Sequence, residues 1–251
     1  MLETIRHDAV LELRLARPPA NALDPALVRA LREAVQAAPA GGARAIVLSG
    51  RPGLFSAGLD VPALLALDRA GMRAFWADFN GVMAALGRSP LPVAAAIGGH
   101  SPAGGAVLAL FCDWRVMARG AYRIGLNEVQ VGLSVPAAIQ FALRRLLGAH
   151  RAERLLVAGA MIESDEAHRI GFVDELADAD AVVARAIEWC RAHLALPPEA
   201  MAETRRIARA DLHAALDDAQ RADDSAFLER WFSDETQTTL RALVARLKAK
   251  A

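Results

Sequence analysis

Hydrophobic and polar residues alternate near the start of the chain and then take up helical spacing. From Val10 to Leu15, leucines point to one face of the segment, and Glu12 and Arg14 point to the other. This period of two predicts a half-buried strand. A helix is predicted from Pro25, at its first position, to about residue 38. Its apolar residues recur every three or four positions, at Leu27, Ala30, Leu31, Ala34 and Val35.

Continuous apolar runs in the next part of the chain are typical of strands that are covered on both faces. Strands are predicted at 45–48, 92–97 and 114–118, and helices at 62–86, interrupted near Gly71, and at 104–111. Strands that alternate with helices at this spacing indicate an α/β fold with right-handed crossover connections.

The last third of the chain is mostly helical by pattern. Helices are predicted at 136–147, 151–158, 165–170, 180–195, 198–216 and 218–249, the last broken near Ser233, with one short strand at 172–175. The consecutive prolines at 197 and 198 mark a border, because no strand pattern follows them. We therefore expect an α/β core over residues 1–196 and a helical region over 197–251. Such a helical region often covers a face of the core or docks on a neighbouring subunit.

The composition narrows the range of functions. With 251 residues, 54% of them hydrophobic, the chain can bury a large core. Basic and acidic residues balance at 29 each, so we expect neither nucleic acid nor a membrane as a partner. There is no run of about 18 apolar residues, and the N-terminus does not resemble a secretory signal, so we expect a cytoplasmic protein. Cys112 and Cys190 are predicted to be reduced core residues.

Two glycine-containing turns are candidates for ligand contacts. One is Ser101-Pro102-Ala103-Gly104-Gly105, and the other is Ser56-Ala57-Gly58-Leu59-Asp60. Each alone is more typical of an ordinary tight turn, and Asp60 is expected to cap the helix that follows it. Together, however, two turns can aim two backbone N–H groups at one carbonyl oxygen, which is the arrangement of an oxyanion hole.

Glu128 is the strong candidate for a catalytic acid or base. Its neighbours are mostly apolar, and such surroundings raise the pKa of a carboxyl group, although a surface glutamate has the same local sequence. Trp76 and Phe79 lie three apart on a predicted helix and are candidates for an acyl pocket or for ordinary core. The histidines form no set with the spacing of metal ligands. A basic helix face at Arg205, Arg206 and Arg209 is predicted to be solvated.

The chain resembles the crotonase (enoyl-CoA hydratase/isomerase) superfamily over nearly its whole length. The motifs that carry the resemblance are Asn21-Ala22-Leu23, Phe55-Ser56-Ala57-Gly58-Leu59-Asp60, Pro102-Ala103-Gly104-Gly105, Cys112-Asp113-Trp114-Arg115 and Gly171-Phe172-Val173-Asp174. Within the superfamily, the segments 101–105 and 124–132 are most similar to the mitochondrial-type Δ3,Δ2-enoyl-CoA isomerases. The resemblance implies a spiral of ββα units whose helical C-terminal region takes part in a homotrimer or a dimer of trimers.

The resemblance also implies an acyl-CoA substrate of fatty acid β-oxidation and a set of site residues. The thioester carbonyl is expected between the N–H groups of Leu59 and Gly104, with Gly105 beside it and the segment 56–58 along the coenzyme A chain. Hydratases of this family use two glutamates, one at the position of Glu128 and one at the position of Val107. Because valine cannot transfer a proton, the resemblance favours an isomerase that needs no metal or redox cofactor.

Other functions stay open at this point. A hydratase, a thioester hydrolase or a decarboxylase of the same superfamily would need another polar group, either His100 or a water molecule held by the backbone. A protein that binds acyl-CoA without turnover would keep the fold and both turns. The sequence does not specify the length of the acyl chain.

Overall fold

The structure is a computed structural model that describes residues 1–221 and 225–249. The strands are β1 (Leu2–His7), β2 (Val10–Leu15), β3 (Ala45–Ser49), β4 (Gly53–Leu54), β5 (Val93–Ile97), β6 (Gly99–Pro102), β7 (Trp114–Ala118), β8 (Arg123–Gly125), β9 (Ile162–Glu163) and β10 (Glu175–Ala177). The helices are α1 (Pro25–Ala37), α2 (Val61–Leu65), α3 (Arg69–Arg88), α4 (Gly104–Leu110), α5 (Ala137–Leu147), α6 (Ala149–Ala158), α7 (Ser164–Arg169), α8 (Val182–Leu194), α9 (Pro198–Ala208), α10 (Ala210–Arg221), α11 (Ser225–Trp231) and α12 (Asp234–Lys248). A single 3₁₀ turn, Glu128–Val131, follows β8.

Successive strands enter two different sheets, and this produces a spiral. The larger sheet has the order β1-β2-β3-β5-β7-β10, and the smaller one has the order β4-β6-β8-β9. Thus β3, β5 and β7 each belong to the larger sheet, and the strand that follows each of them belongs to the smaller sheet. Helices follow each pair of strands, so the repeating unit is ββα. The predicted α/β fold with a spiral of ββα units is confirmed.

Both faces of the larger sheet are covered, as the apolar runs predicted. Alternate residues of β3 and β5 pack towards α8 on one face, and the others pack into the main core on the other. The prediction for Glu12 was wrong, because the second face of β2 is not open to solvent. Glu12 is completely buried, and its carboxylate accepts hydrogen bonds from Ser49 Oγ (2.7 Å) and Arg14 Nε (3.0 Å) and contacts His7 Nε2 at 2.8 Å. These contacts offset the desolvation of the buried charge.

Several element boundaries differ from the prediction for local reasons. The predicted helix 62–86 is divided at residues 66–68, where Asp68 caps α3 by accepting from the Gly71 N–H, so Gly71 begins a turn of helix and does not break one. The strand predicted at 172–175 begins later and is β10. Before it, Gly171 has a left-handed backbone conformation, and Phe172 and Val173 are buried without joining the sheet. The predicted helix 198–216 is broken at Arg209 into α9 and α10, and α10 continues to Arg221.

The C-terminal helices pack on the core of their own chain. Helix α10 lies against α3 and α5, and α12 lies against α2 and the 3₁₀ turn. The break predicted near Ser233 is confirmed, because Ser233 caps α12 by accepting from the Thr236 N–H. The predicted helix 218–249 also includes residues 222–224, which lie outside the described residues, as do residues 250 and 251.

The predicted basic face of α9 is not fully solvated. Arg205 and Arg209 turn inward and bind the carboxylate of Asp113 at 2.8 Å each, whereas Arg206 stays exposed and pairs with Glu203. Both free cysteines are buried, as predicted. Within residues 1–221 and 225–249, no helix is long and apolar enough to cross a membrane.

Candidate active site

The two predicted glycine turns are in direct contact in the fold. A Cβ atom built on Gly58 would lie 3.1 Å from the Cβ of Ala103 and 3.2 Å from the nitrogen of Gly104. A Cβ atom on Gly104 would lie 3.3 Å from the Cα of Gly58. Gly58 also has a φ of +85°, which residues other than glycine rarely adopt. Glycine at both positions therefore permits the two turns to approach closely enough to share a ligand.

The Leu59 N–H is left free by the way in which its turn is paired. Leu23 forms an isolated parallel bridge with Leu59, in which the Leu23 N–H donates to Gly58 O (2.8 Å) and the Asp60 N–H donates to Leu23 O (3.1 Å). These bonds use the groups on either side of Leu59, so its own N–H points away from Leu23. Within the described part of the chain, this N–H has no acceptor at hydrogen-bond distance.

The Gly104 N–H is free for a different reason. It is at the first position of α4, where an amide has no partner within the helix. The preceding residue, Ala103, has an unusual conformation (φ 45°, ψ −119°), and its side chain cannot cap the helix. Its N–H is held by Gly125 O at 2.8 Å, so the strained turn is anchored to β8. Strain of this kind is found mostly at functional sites.

The same pairing of strands connects the segment of Glu128 to the Gly104 turn. Strand β6 pairs in parallel with β8, with Pro102 opposite Gly125, and Glu128 follows three residues later in the 3₁₀ turn. The Glu128 carbonyl accepts from the Leu133 N–H at 3.1 Å, which closes the turn.

The carboxyl group of Glu128 is desolvated. Its Oε2 atom is buried and has no hydrogen-bond partner among the described residues, and burial raises the pKa of Glu128 to about 7. The loss of hydration penalises the charged form, and no cation compensates for it. A carboxyl group with a pKa near neutrality is suited to accept and return a proton. Glu128 as a whole is half-buried, with Oε2 inside the protein, so it differs from a fully exposed surface glutamate.

Helices α11 and α12 are bonded to the turn that contains Glu128. Thr236 Oγ1 donates to Gly132 O at 2.7 Å, and Arg230 Nε donates to the same carbonyl at 3.0 Å. Both bonds join the C-terminal helices to the residue that ends the Glu128 turn. The helical region thus lies over this turn in the same chain.

Ser56, Ala57 and Gly105 differ in their exposure. Ser56 is completely buried, and its hydroxyl group donates to Asn21 O (2.7 Å) and accepts from the Gly58 N–H (3.1 Å). Ser56 therefore holds the turn through its hydroxyl group and has no exposed surface. Ala57 is exposed on the outer side of the turn. Gly105 is buried, and a Cβ atom there would lie 3.0 Å from Ser56 O, so Gly105 permits the close packing of the two turns.

Val107 and the two aromatic residues of α3 are buried. Val107 lies one turn into α4, 1% exposed, with its N–H donating to Ala103 O at 2.9 Å. Trp76 stacks on Phe227 of α11 with ring centroids 3.8 Å apart, and it lines a cavity of about 640 Å³. Phe79 packs between Phe75 and Trp76 and does not line that cavity. Of the two predicted pocket residues, the structure thus places Trp76 at a cavity wall and Phe79 in the core.

Sequence reasoning missed the residues that hold the Leu59 turn. Arg17 bridges Asp24 (2.8 Å) and Asp60 (2.7 Å), the residues that cap α1 and α2. Asn21 is buried and donates to Phe55 O at 3.2 Å. A buried ion pair cannot be deduced from residues that lie 43 positions apart, although the two capping aspartates were recognisable.

The structure also locates the other polar candidates. His100 is exposed, and its Nδ1 accepts from the Arg123 N–H at 3.1 Å, on the strand face opposite to buried Ser101. Among the described residues, no three histidine, cysteine, aspartate or glutamate side chains come together as metal ligands.

Comparison with known proteins agrees with this geometry. The family model described as "Enoyl-CoA hydratase/isomerase" matches residues 6–250. The chain is 33% identical over 204 residues to human mitochondrial enoyl-CoA delta isomerase 1. This alignment covers 81% of this chain and 68% of that protein. It is 34% identical over 195 residues to a probable enoyl-CoA hydratase of Mycobacterium avium, which covers 76% of this chain and 74% of that protein.

Solved structures show the same relationship. The crystal structure of human mitochondrial Δ3-Δ2-enoyl-CoA isomerase superimposes with a TM-score of 0.94 at 29% identity, covering 99% of this chain and 98% of that chain. A probable enoyl-CoA hydratase of Mycobacterium tuberculosis superimposes with a TM-score of 0.85 at 28% identity, covering 91% and 96%. The chain therefore belongs to the enoyl-CoA hydratase/isomerase family, and it is an enzyme of the crotonase superfamily.

Proposed function

We propose that the protein is a Δ3,Δ2-enoyl-CoA isomerase that uses Glu128 as its acid and base. The observation that carries this proposal is the desolvated carboxyl group of Glu128 in the turn after β8, whose partner strand β6 leads into the Gly104 turn. The position at which hydratases of the family carry a second glutamate is occupied by buried, aliphatic Val107. The similarity to human mitochondrial enoyl-CoA delta isomerase 1 supports the same reaction.

The reaction requires one group that moves a proton between two carbon atoms. The Glu128 carboxylate removes a proton from C2 of a 3-enoyl thioester, and the electron pair delocalises over the double bond and the carbonyl oxygen as a dienolate. The protonated Glu128 then gives the proton to C4, and the double bond now lies between C2 and C3. The proton removed is returned, so no other reactant is consumed.

The dienolate needs stabilisation at its oxygen. The N–H groups of Leu59 and Gly104 are proposed to donate to that oxygen, since their turns are in contact and neither has another acceptor among the described residues. Removing one such donor typically costs a factor of about 10²–10³ in rate. The turn of Ala57 and Gly58 is proposed to lie along the coenzyme A chain, with buried Ser56 supporting it from inside and Gly105 permitting the contact between the turns.

Val107 is the observation that disfavours hydration. Adding water to a double bond requires that water be activated and that a proton be delivered, and two carboxylates normally divide these roles in the family. Val107 is buried and cannot transfer a proton. His100 does not supply the missing group, because it is exposed and bonded to Arg123. A hydratase, hydrolase or decarboxylase would need a group that this part of the structure does not provide.

The proposal extends to the substrate, the cellular location and the oligomeric state of the protein. The substrate is an acyl-CoA of fatty acid β-oxidation, and coenzyme A enters as part of the substrate, with no further cofactor or metal ion. We propose that the protein acts in the cytoplasm as a homotrimer or a dimer of trimers. In that assembly the region 197–251 would cover the site and contact neighbouring subunits.

Two substrates test the proposal on one purified protein. With 3-hexenoyl-CoA we expect rapid formation of the conjugated 2-enoyl thioester, followed by its ultraviolet absorbance. With crotonyl-CoA we expect negligible loss of the same absorbance, because hydration would remove the conjugation. Fast hydration would reject the isomerase assignment and require a second proton-transfer group. Binding of both thioesters without either reaction would favour another chemistry of the superfamily or binding alone.

The variant Glu128→Gln tests the role of the base. We expect a loss of isomerase activity of about 10²–10⁴-fold, because the amide cannot accept the proton. Binding of saturated hexanoyl-CoA, measured by calorimetry, should change little. Glu153→Gln on the exposed side of α6 is the matched control and should keep full activity. Retained turnover in Glu128→Gln would show that the base is another residue.

A further inference from the structure

A cavity of about 640 Å³ lies between α3, the segment after the Glu128 turn, and the C-terminal helices α10 and α11. Its walls are mainly apolar and include Trp76, Val135, Phe141 and Phe227. This volume is within the usual range of small-molecule sites, about 300–1,000 Å³. An apolar cavity of this size is suited to an aliphatic chain.

One polar side chain of the cavity wall has no partner. Asn80 lies one helical turn beyond Trp76 on α3, and it is only 9% exposed. Within residues 1–221 and 225–249, its amide makes no hydrogen bond to protein. Its amide atoms face the cavity, where a ligand or solvent can satisfy them. Gln140 also lines the cavity, but its Nε2 already donates to Val135 O at 2.7 Å.

The cavity is close to the proposed catalytic residue along the backbone. Its wall begins at Ser134, and Leu133 donates its N–H to Glu128 O. Ser134 is the sixth residue after Glu128, a distance of at most about 20 Å for an extended chain, and the intervening 3₁₀ turn shortens it. An acyl chain bound with its thioester end at Glu128 is long enough to extend in this direction.

The charge at the cavity limits what the polar group of a ligand can be. Asp218 lines the cavity and carries a carboxylate whose partner is Arg221, a contact on the exposed side of α10. Because Arg221 compensates this carboxylate, the exposed pair offers a charged ligand group little attraction. The Asn80 amide can both donate and accept, so it matches a neutral oxygen group such as a hydroxyl or a ketone.

We infer that Asn80 recognises a neutral oxygen substituent on the distal part of the substrate's acyl chain, which occupies this cavity. The inference rests on the proposed function, because it takes the bound chain to be that of an enoyl-CoA substrate. It assigns Asn80 as a specificity-determining residue and places it outside the proton-transfer step. The favoured substrates are therefore oxygenated 3-enoyl-CoA thioesters in preference to plain ones of the same length.

The test compares two thioesters that differ by one oxygen atom, 3-dodecenoyl-CoA and 12-hydroxy-3-dodecenoyl-CoA. We expect the wild-type protein to have a KM roughly five- to tenfold lower for the hydroxylated thioester, the size of one hydrogen bond. Asn80→Leu, which keeps the side-chain volume and removes the amide, should abolish this preference. Asn80→Ser keeps a hydroxyl group that can bond and should retain part of it. An equal KM ratio in the wild type and in Asn80→Leu would overturn the inference.

Two further measurements separate this inference from the proposed function. Asn80→Leu should turn over 3-hexenoyl-CoA at the wild-type rate, since this substrate carries no distal oxygen group for Asn80 to recognise. The saturated probes dodecanoyl-CoA and 12-hydroxydodecanoyl-CoA, compared by calorimetry, should show the same preference even if the protein had no isomerase activity. If these probes bind the wild type equally, Asn80 does not recognise the oxygen, whatever reaction the enzyme catalyses.

Discussion

A Cβ atom on Gly58 would lie 3.2 Å from the amide nitrogen of Gly104, so the two glycines hold the proposed oxyanion-binding turns in direct contact. The contact joins a turn that follows β4 to a turn that follows β6. Gly58 also has a left-handed conformation, and its N–H is held by Ser56 Oγ. Glycine is therefore needed at position 58 both for its left-handed backbone conformation and for the space that a side chain would fill.

Gly58→Ala should reduce isomerase activity by about 10²-fold or more. The left-handed conformation costs an alanine roughly 1–2 kcal/mol, and the added methyl group would push the Gly104 turn away from Leu59. Gly148→Ala is the control for conformational strain, since Gly148 has a φ of +81° but nothing within 4 Å of its Cβ position. Both variants should lose similar stability in urea unfolding. If their activities also fell equally, strain alone would explain the loss.

The pH dependence of the reaction should report the pKa of Glu128. Burial raises this pKa to about 7, and the base must be deprotonated to remove a proton. We therefore expect kcat/KM to rise with pH and to level off above about 7, with a value near pH 5 of about 1% of the plateau. The measurement is kcat/KM for 3-hexenoyl-CoA between pH 5 and 9. A profile already flat at pH 5 would mean that the base has an ordinary carboxyl pKa.

Glu128→Gln should make the protein more stable at neutral and higher pH. The carboxyl group has a pKa of 4.5 when unfolded and about 7 when folded, so between these values the folded state binds more protons. Stability of the wild type should therefore fall as pH rises from 4.5 to 7, by up to about 3 kcal/mol, and change no further from this source.

Urea unfolding of both proteins at pH 5 and pH 8, at one fixed protein concentration, measures this difference. The advantage of Glu128→Gln over the wild type should be larger at pH 8 than at pH 5. An advantage that did not change with pH would show that Glu128 is hydrated in the folded protein.

Arg209→Met should destabilise the protein strongly. Arg209 is 9% exposed and donates to Gly87 O, Phe111 O and Cys112 O, besides its pairing with Asp113. Breaking a buried ion pair by removing one partner typically costs about 3–5 kcal/mol. Arg206→Met, on the same helical segment but exposed, should cost less than about 1 kcal/mol. Equal losses in chemical unfolding would contradict the buried role of Arg209.

The amino-acid sequence by itself determined the α/β class, most of the central strands and the candidate residues. Runs such as Val93–Ile97 are apolar throughout, and α1 has a regular apolar stripe with an aspartate cap, so local pattern was sufficient there. It did not indicate β4 and β9, because strands of two residues are formed only by their partners. The alternation of apolar and polar residues in β2 did not predict the burial of Glu12, because α8, about 170 residues later, covers that face.

The tertiary structure decided what the candidate residues can do. The sequence indicated Glu128 and both glycine turns. It did not show that the turns touch or that the carboxyl group lies without a partner. These facts depend on the pairing of β6 with β8 and on the contacts of α12. The burial of Arg205 and Arg209 likewise depends on Asp113, about 90 residues away. Local sequence specifies backbone preference and side-chain chemistry, whereas desolvation and contact depend on residues that only folding brings near.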